Sequence, residues 1–167
     1  MPRGVRLALP SLVSASRLPL AVPFFGAILA GRREAALAWL LAICVTDVAD
    51  GVLARRLDAR TDVGAYLDVG ADFVVVTAGF AGLARAGALP WWILALVGAM
   101  FAQFVLSSTR RRPVYDPVGR YYGGLLFGVI AAALAVPDEG VWRVLALSVL
   151  GVTLASWISR LRFLRRA

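Results

Sequence analysis

Residues 47–72 read Asp47-Val-Ala-Asp50-Gly51-Val-Leu-Ala54-Arg55, then eight residues, then Gly64-Ala-Tyr-Leu-Asp68-Val-Gly-Ala-Asp72. The two acid pairs lie almost equidistant from a short turn around Ala59. Two helices folded into a hairpin about that turn bring all four carboxylates to one depth. Asp47 and Asp50 are spaced i, i+3, and Asp68 and Asp72 are spaced i, i+4, so each pair shares a helix face. Like charges on a shared face repel, and a helix keeps them where something positive lies between.

The surroundings of this hairpin are apolar. The chain has 167 residues, of which 60% are hydrophobic, and its mean hydropathy is +0.79. That composition points to an all-α membrane protein rather than a soluble domain. An ionised Asp at mid-membrane costs about 2.5–3.5 kcal/mol, so four of them require compensating cations. Hard oxygen ligands without imidazole or thiolate favour Mg²⁺ or Mn²⁺ over zinc. Four carboxylates suit two ions about 3.5–4 Å apart, a device for in-line displacement at phosphorus.

Apolar runs place six transmembrane helices near residues 11–31, 35–57, 62–86, 90–109, 118–136 and 140–161, each of a length suited to a ~30 Å hydrocarbon layer. Helix 1 carries Pro19 and Pro23 and is expected to bend or start late. The whole of 1–167 reads as a single domain, and the first thirty residues read as a span rather than a cleaved leader. Gly124 and Gly128 form a GxxxG step on helix 5, which ordinarily marks close helix packing.

Net charge is +8, and every basic residue is Arg. Arg3, Arg6, Arg55, Arg56, Arg60, Arg110, Arg111, Arg112, Arg120 and the arginines from Arg160 onward fall on one side, with Arg17 leaning the same way. Only Arg32, Arg33, Arg85 and Arg143 fall on the other. The positive-inside rule then sets both termini and the acids at the cytoplasmic side of the cell membrane. Anionic lipid headgroups, not nucleic acid, are the expected partners of this charge. The absence of His excludes imidazole bases and Ser-His-Asp chemistry. The single cysteine, Cys44, reads as a small buried hydrophobe.

Small residues complete the pattern. Gly51 and Ala54 share a face with Asp47 and Asp50 and open a slot for a ligand or a neighbouring backbone. Arg55 lies one turn nearer the cytoplasm, where it can meet an anion. Gly64 and Gly70 thin helix 3 around Asp68. On the residues alone, a divalent-cation or proton transporter using the same acids remains an alternative to an enzyme.

The spacing resembles the signature of the CDP-alcohol phosphatidyltransferase family: Asp, two residues, Asp-Gly, two residues, Ala-Arg, eight residues, Gly, three residues, Asp, three residues, Asp. Asp47, Asp50, Gly51, Ala54, Arg55, Gly64, Asp68 and Asp72 match it at every position. The resemblance implies an integral membrane homodimer that takes a CDP-linked donor such as CDP-diacylglycerol, transfers its phosphatidyl group to an alcohol and releases CMP. It implies that Asp47, Asp50, Asp68 and Asp72 hold two metal ions, that Asp72 is also the general base, and that Gly51, Ala54 and Arg55 border the CDP moiety.

Two positions depart from relatives. Pro10-Ser11 stands where many members have Pro-Asn. Val69 and Phe73 stand where the family's phosphatidylglycerophosphate synthases have Pro and Lys, which weighs against glycerol phosphate. Arg110, Arg111, Arg112, Arg120 and Arg160 nevertheless form an arginine-rich cytoplasmic rim. Arg forks match phosphate oxygens, so the expected acceptor is phosphorylated, such as glycerol 3-phosphate or an inositol phosphate.

Overall fold

A computed structural model describes the backbone of residues 17–56, 62–107 and 119–166. Six helices account for almost all of it: α1 (Arg17–Leu29), α2 (Arg33–Arg56), α3 (Asp62–Arg85), α4 (Trp92–Ser107), α5 (Gly119–Ala135) and α6 (Glu139–Arg166). No strand occurs among the described residues. The all-α expectation therefore holds, and the helix bounds fall close to those read from the apolar runs. The helix α1 continues through both Pro19 and Pro23.

Two turns show why the chain reverses where it does. Gly31 and Gly87 have φ of 67° and 76°, the left-handed region where a side chain is strained. At the first, Arg32 N–H donates to Ala27 C=O at 2.9 Å and Gly31 N–H to Ile28 C=O at 3.0 Å. At the second, Ala88 N–H donates to Leu83 C=O at 2.9 Å and Gly87 N–H to Ala84 C=O at 3.1 Å. Both are Schellman caps, which satisfy the carbonyls left over at a helix end. The start of α6 is capped differently: Asp138 Oδ1 accepts from Val141 N–H at 2.9 Å, satisfying an orphan donor of the first turn.

Helix α5 lies centrally, against α2, α3 and α6, while α4 packs on α3 and α6. Its Ile130 is fully buried with Phe24 of α1, Ile43 of α2, Val75 and Phe80 of α3, Ile93 of α4 and Val149 of α6. The α5–α6 pair is tied at both ends, by Tyr122 Oη to Thr153 Oγ1 at 2.7 Å and by Trp142 Nε1 donating to Ala133 C=O at 3.1 Å.

The outer surface is also apolar. Leu41, Val45 and Val48 run along α2, and Val144, Leu147, Leu154 and Ile158 along α6, all exposed. Such stripes suit a hydrocarbon solvent and are costly in water. Two stretches, Tyr66–Arg85 and Glu139–Ser159, are long and apolar enough to cross a membrane. The apolar stretches Arg17–Leu29, Trp92–Leu106 and Tyr121–Ala135 are shorter. At 1.5 Å per residue the 16 residues of α4 rise about 24 Å, short of a ~30 Å core.

The Gly124–Gly128 step has no close neighbour among the described residues of this chain. Both glycines are exposed, and a Cβ at either would meet nothing within 4 Å among the described residues. Close approach occurs on α3 instead. A Cβ on Gly79 would lie 2.7 Å from Ile130 Cδ1 and 3.2 Å from Phe24 Cε1, and one on Gly82 would lie 3.0–3.2 Å from three atoms of Ile28. One of those atoms is the Ile28 Cβ, which the α1 backbone fixes. Gly82→Val is therefore expected to destabilise the bundle by about 1–3 kcal/mol, read as a lower thermal midpoint in detergent. Gly98→Ala, with no atom within 4 Å, is expected to leave that midpoint unchanged or raise it.

Candidate active site

Asp47 projects from the second half of α2, and Asp68 and Asp72 from the first half of α3. The hairpin brings their carboxylates together, with one oxygen from each lying within 4.8 Å of the others. Their side chains are 45%, 42% and 30% exposed, so the cluster is half open, in contrast to the sealed core above it.

A guanidinium sits among them. Arg17, the first described residue of α1, has a side chain that is 0% exposed. Its Nη1 lies 2.9 Å from Asp47 Oδ1 and also donates to Asp72 Oδ1, while Nη2 donates to Asp68 Oδ1. One positive charge thus bridges acids from two helices and satisfies part of the electrostatic demand read from the sequence. It sets one positive charge against three carboxylates.

The orientation of α3 is set by aromatic contacts on either side of its acids. Phe73 stacks on Phe101 of α4 with centroids 4.0 Å apart and planes at 12°. Tyr66 meets Phe104 at 6.1 Å and 56°. Offset and tilted pairs of this kind contribute about 0.5–1.5 kcal/mol beyond area burial. They fix which face of α3 turns toward α1 and α2. Phe73, noted in the sequence only as a departure, is thus a packing residue beside Asp72. In α2, Thr46 Oγ1 donates to Ile43 C=O at 2.7 Å, so the hydroxyl beside Asp47 is turned back into its own helix. Cys44 is partly buried.

The remaining expected site residues divide in two. Gly51 is partly buried on α2, and a Cβ on Gly70 would meet nothing within 4 Å, so space is left beside the acids on α3. Asp50, Ala54, Arg55, Arg120 and Arg160 belong to α2, α5 and α6, but their side chains lie outside the described residues. Arg110, Arg111 and Arg112 lie outside them altogether.

Sequence reading missed Arg17 as a member of the site. It was placed by side of the membrane and by its distance from the Pro10-Ser11-Leu12 start, 30 residues from Asp47 and more than fifty from Asp68 and Asp72. The signal was present: an arginine within an apolar stretch, in a chain whose intramembrane acids need a cation.

Chemically, the three carboxylates offer hard oxygen donors from two rigid helices. That donor set suits Mg²⁺ or Mn²⁺, and the 4.8 Å clustering of their oxygens is compact enough for ligands of a shared ion.

An acid-bearing helical hairpin of this kind belongs to a recognisable class. The profile of the CDP-alcohol phosphatidyltransferase family matches residues 7–159, and the chain belongs to that family of membrane-integral transferases. Over 91 residues it is 35% identical to a probable phosphatidylglycerophosphate synthase of Mycobacterium tuberculosis, in strain CDC 1551 / Oshkosh and in strain ATCC 25618 / H37Rv alike. The match takes in 54% of this chain and 44% of each relative's length.

Proposed function

We propose that the protein transfers a phosphatidyl group from a CDP-linked lipid donor, such as CDP-diacylglycerol, to an alcohol acceptor and releases CMP, as a step of phospholipid biosynthesis. The observation that carries the reading is the convergence of Asp47, Asp68 and Asp72 from two helices at positions that match the family signature. In this reading residues 1–167 form one domain of six membrane spans. Both termini and the site face the cytoplasm, and the enzyme works as a homodimer among anionic lipids. The exposed apolar stripes on α2 and α6 support the membrane setting. The transporter alternative gains nothing from the family match.

Asp47, Asp50, Asp68 and Asp72 would hold two divalent ions, Mg²⁺ or Mn²⁺. When bound, such ions neutralise the donor's pyrophosphate charge and polarise its phosphorus. The protein's own groups do the rest. Gly51 and Ala54 leave room for the CDP moiety to approach α2, and Arg55 offers a fork to its phosphate. Asp72 accepts the proton of the acceptor hydroxyl as its oxygen bonds to the phosphatidyl phosphorus. The bond from that phosphorus to the bridging oxygen breaks, and CMP departs with the electron pair.

The acceptor in this reading carries a phosphate of its own. The arginines Arg110, Arg111, Arg112, Arg120 and Arg160 would supply forks for it. The relatives' description as phosphatidylglycerophosphate synthases favours glycerol 3-phosphate over an inositol phosphate. Val69 and Phe73 pull the other way.

Two experiments test this. Purified protein in detergent with labelled CDP-diacylglycerol, glycerol 3-phosphate and Mg²⁺ is expected to release CMP. Asp72→Asn should lower that rate by about 10²–10⁴-fold, EDTA should abolish it, and Asp58→Asn, at an acid between the two pairs in sequence and outside the signature positions, should leave it near wild type. No CMP release from the wild type would refute the transfer reading. In an acceptor screen, phosphorylated alcohols should outpace glycerol, serine and choline. Equal turnover of the unphosphorylated alcohols would sink the acceptor assignment.

A further inference from the structure

Arg17 is fully buried, yet every acid it is seen to bridge is partly exposed. Its Nη1 reaches the Oδ1 of Asp47 and of Asp72, and its Nη2 reaches the Oδ1 of Asp68. Those three residues are also the ones whose oxygens converge closely enough to share a metal ion. A guanidinium and a divalent cation therefore compete for the same carboxylates. The guanidinium has five donors and no acceptor, and it does not deprotonate in proteins. It cannot yield the site by losing its charge; it can do so only by moving.

The competition is uneven. The guanidinium sets one positive charge against three carboxylates, whereas a divalent ion brings two. The planar fork, however, spans carboxylates from two helices at once and holds them in register without an ion. Two like-charged segments packed in an apolar bundle would otherwise spring apart or admit water when the metal is absent.

We propose that Arg17 is the site's built-in counter-cation: it clamps Asp47, Asp68 and Asp72 when no divalent ion is bound, and it is displaced from their oxygens when the ion enters. This rests on the reading that these acids hold divalent ions. The clamp sets the metal affinity below that of the bare acids and keeps the empty site assembled. Its role is in positioning the acids rather than in the transfer step.

The test uses Mn²⁺ alone, titrated into the full-length protein in detergent and followed by the electron paramagnetic resonance of the free ion. Arg17→Gln is expected to bind Mn²⁺ about tenfold tighter than wild type, equivalent to 1.4 kcal/mol. Arg17→Lys, which keeps the charge, should stay closer to wild type. Wild-type protein that binds Mn²⁺ alongside an Arg17→Gln variant that binds it no tighter overturns this inference alone. Wild-type protein that binds no Mn²⁺ overturns the metal reading beneath it as well. If Arg17→Gln does not fold, wild-type protein decides the matter: phenylglyoxal labelling, read by peptide mass spectrometry, should rise at Arg17 on adding Mn²⁺ and stay constant at the exposed Arg32 and Arg33. Unchanged labelling at Arg17 overturns the inference.

Discussion

The contact between the Arg17 guanidinium and the carboxylates of α2 and α3 is the constraint around which the acid-bearing half of this bundle is organised. Three acids on adjoining helices repel one another, and an apolar surround offers them little solvation. A single fork that reaches across both helices turns that repulsion into an attachment between α1 and the hairpin. The packing farther along then follows. Phe24 and Ile28 of α1 lie against the glycine positions Gly79 and Gly82 of α3, so polar and apolar contacts fix the same pair of helices at two depths. The ion cluster sets which end of α1 meets the acids, and the glycines let α1 come close enough to do so.

Much of this was legible in the residues, and the reasons are specific. Asp47, Asp68 and Asp72 could be placed together because helical spacing and a short turn leave a hairpin little freedom. The helix limits were legible because Gly31, Gly87 and Asp138 are cap residues with defined backbone demands. Arg17 was not, since its partners are remote in sequence and no local pattern encodes a contact across three helices. The Gly124–Gly128 step shows the converse: a local pattern says which residues permit close packing, not which neighbour uses the space. The packing glycines, Gly79 and Gly82, have no such motif and are seen only once Ile130, Phe24 and Ile28 are placed.

The length of the helices also bears on the setting. Only some stretches reach the span of a hydrocarbon layer unaided, while exposed leucine and valine stripes cover α2 and α6. The charged half of α2 explains its poor standing as a span by composition: Asp47, Asp50, Arg55 and Arg56 lower its apolarity in the very region that would meet the substrate. The same helix keeps Leu41, Val45 and Val48 exposed and apolar on its outer face.

One contact reaches beyond the charges themselves. The stacked rings of Phe73 and Phe101 join the acid-bearing helix to α4, whose described residues include no member of the acid cluster. A helix outside the acid cluster thus acts as a splint that governs how the acid-bearing face is rotated. Changes along α4 therefore reach the acid-bearing face through Phe101 while the acids stay untouched, so divergence within this fold need not begin at the acids themselves.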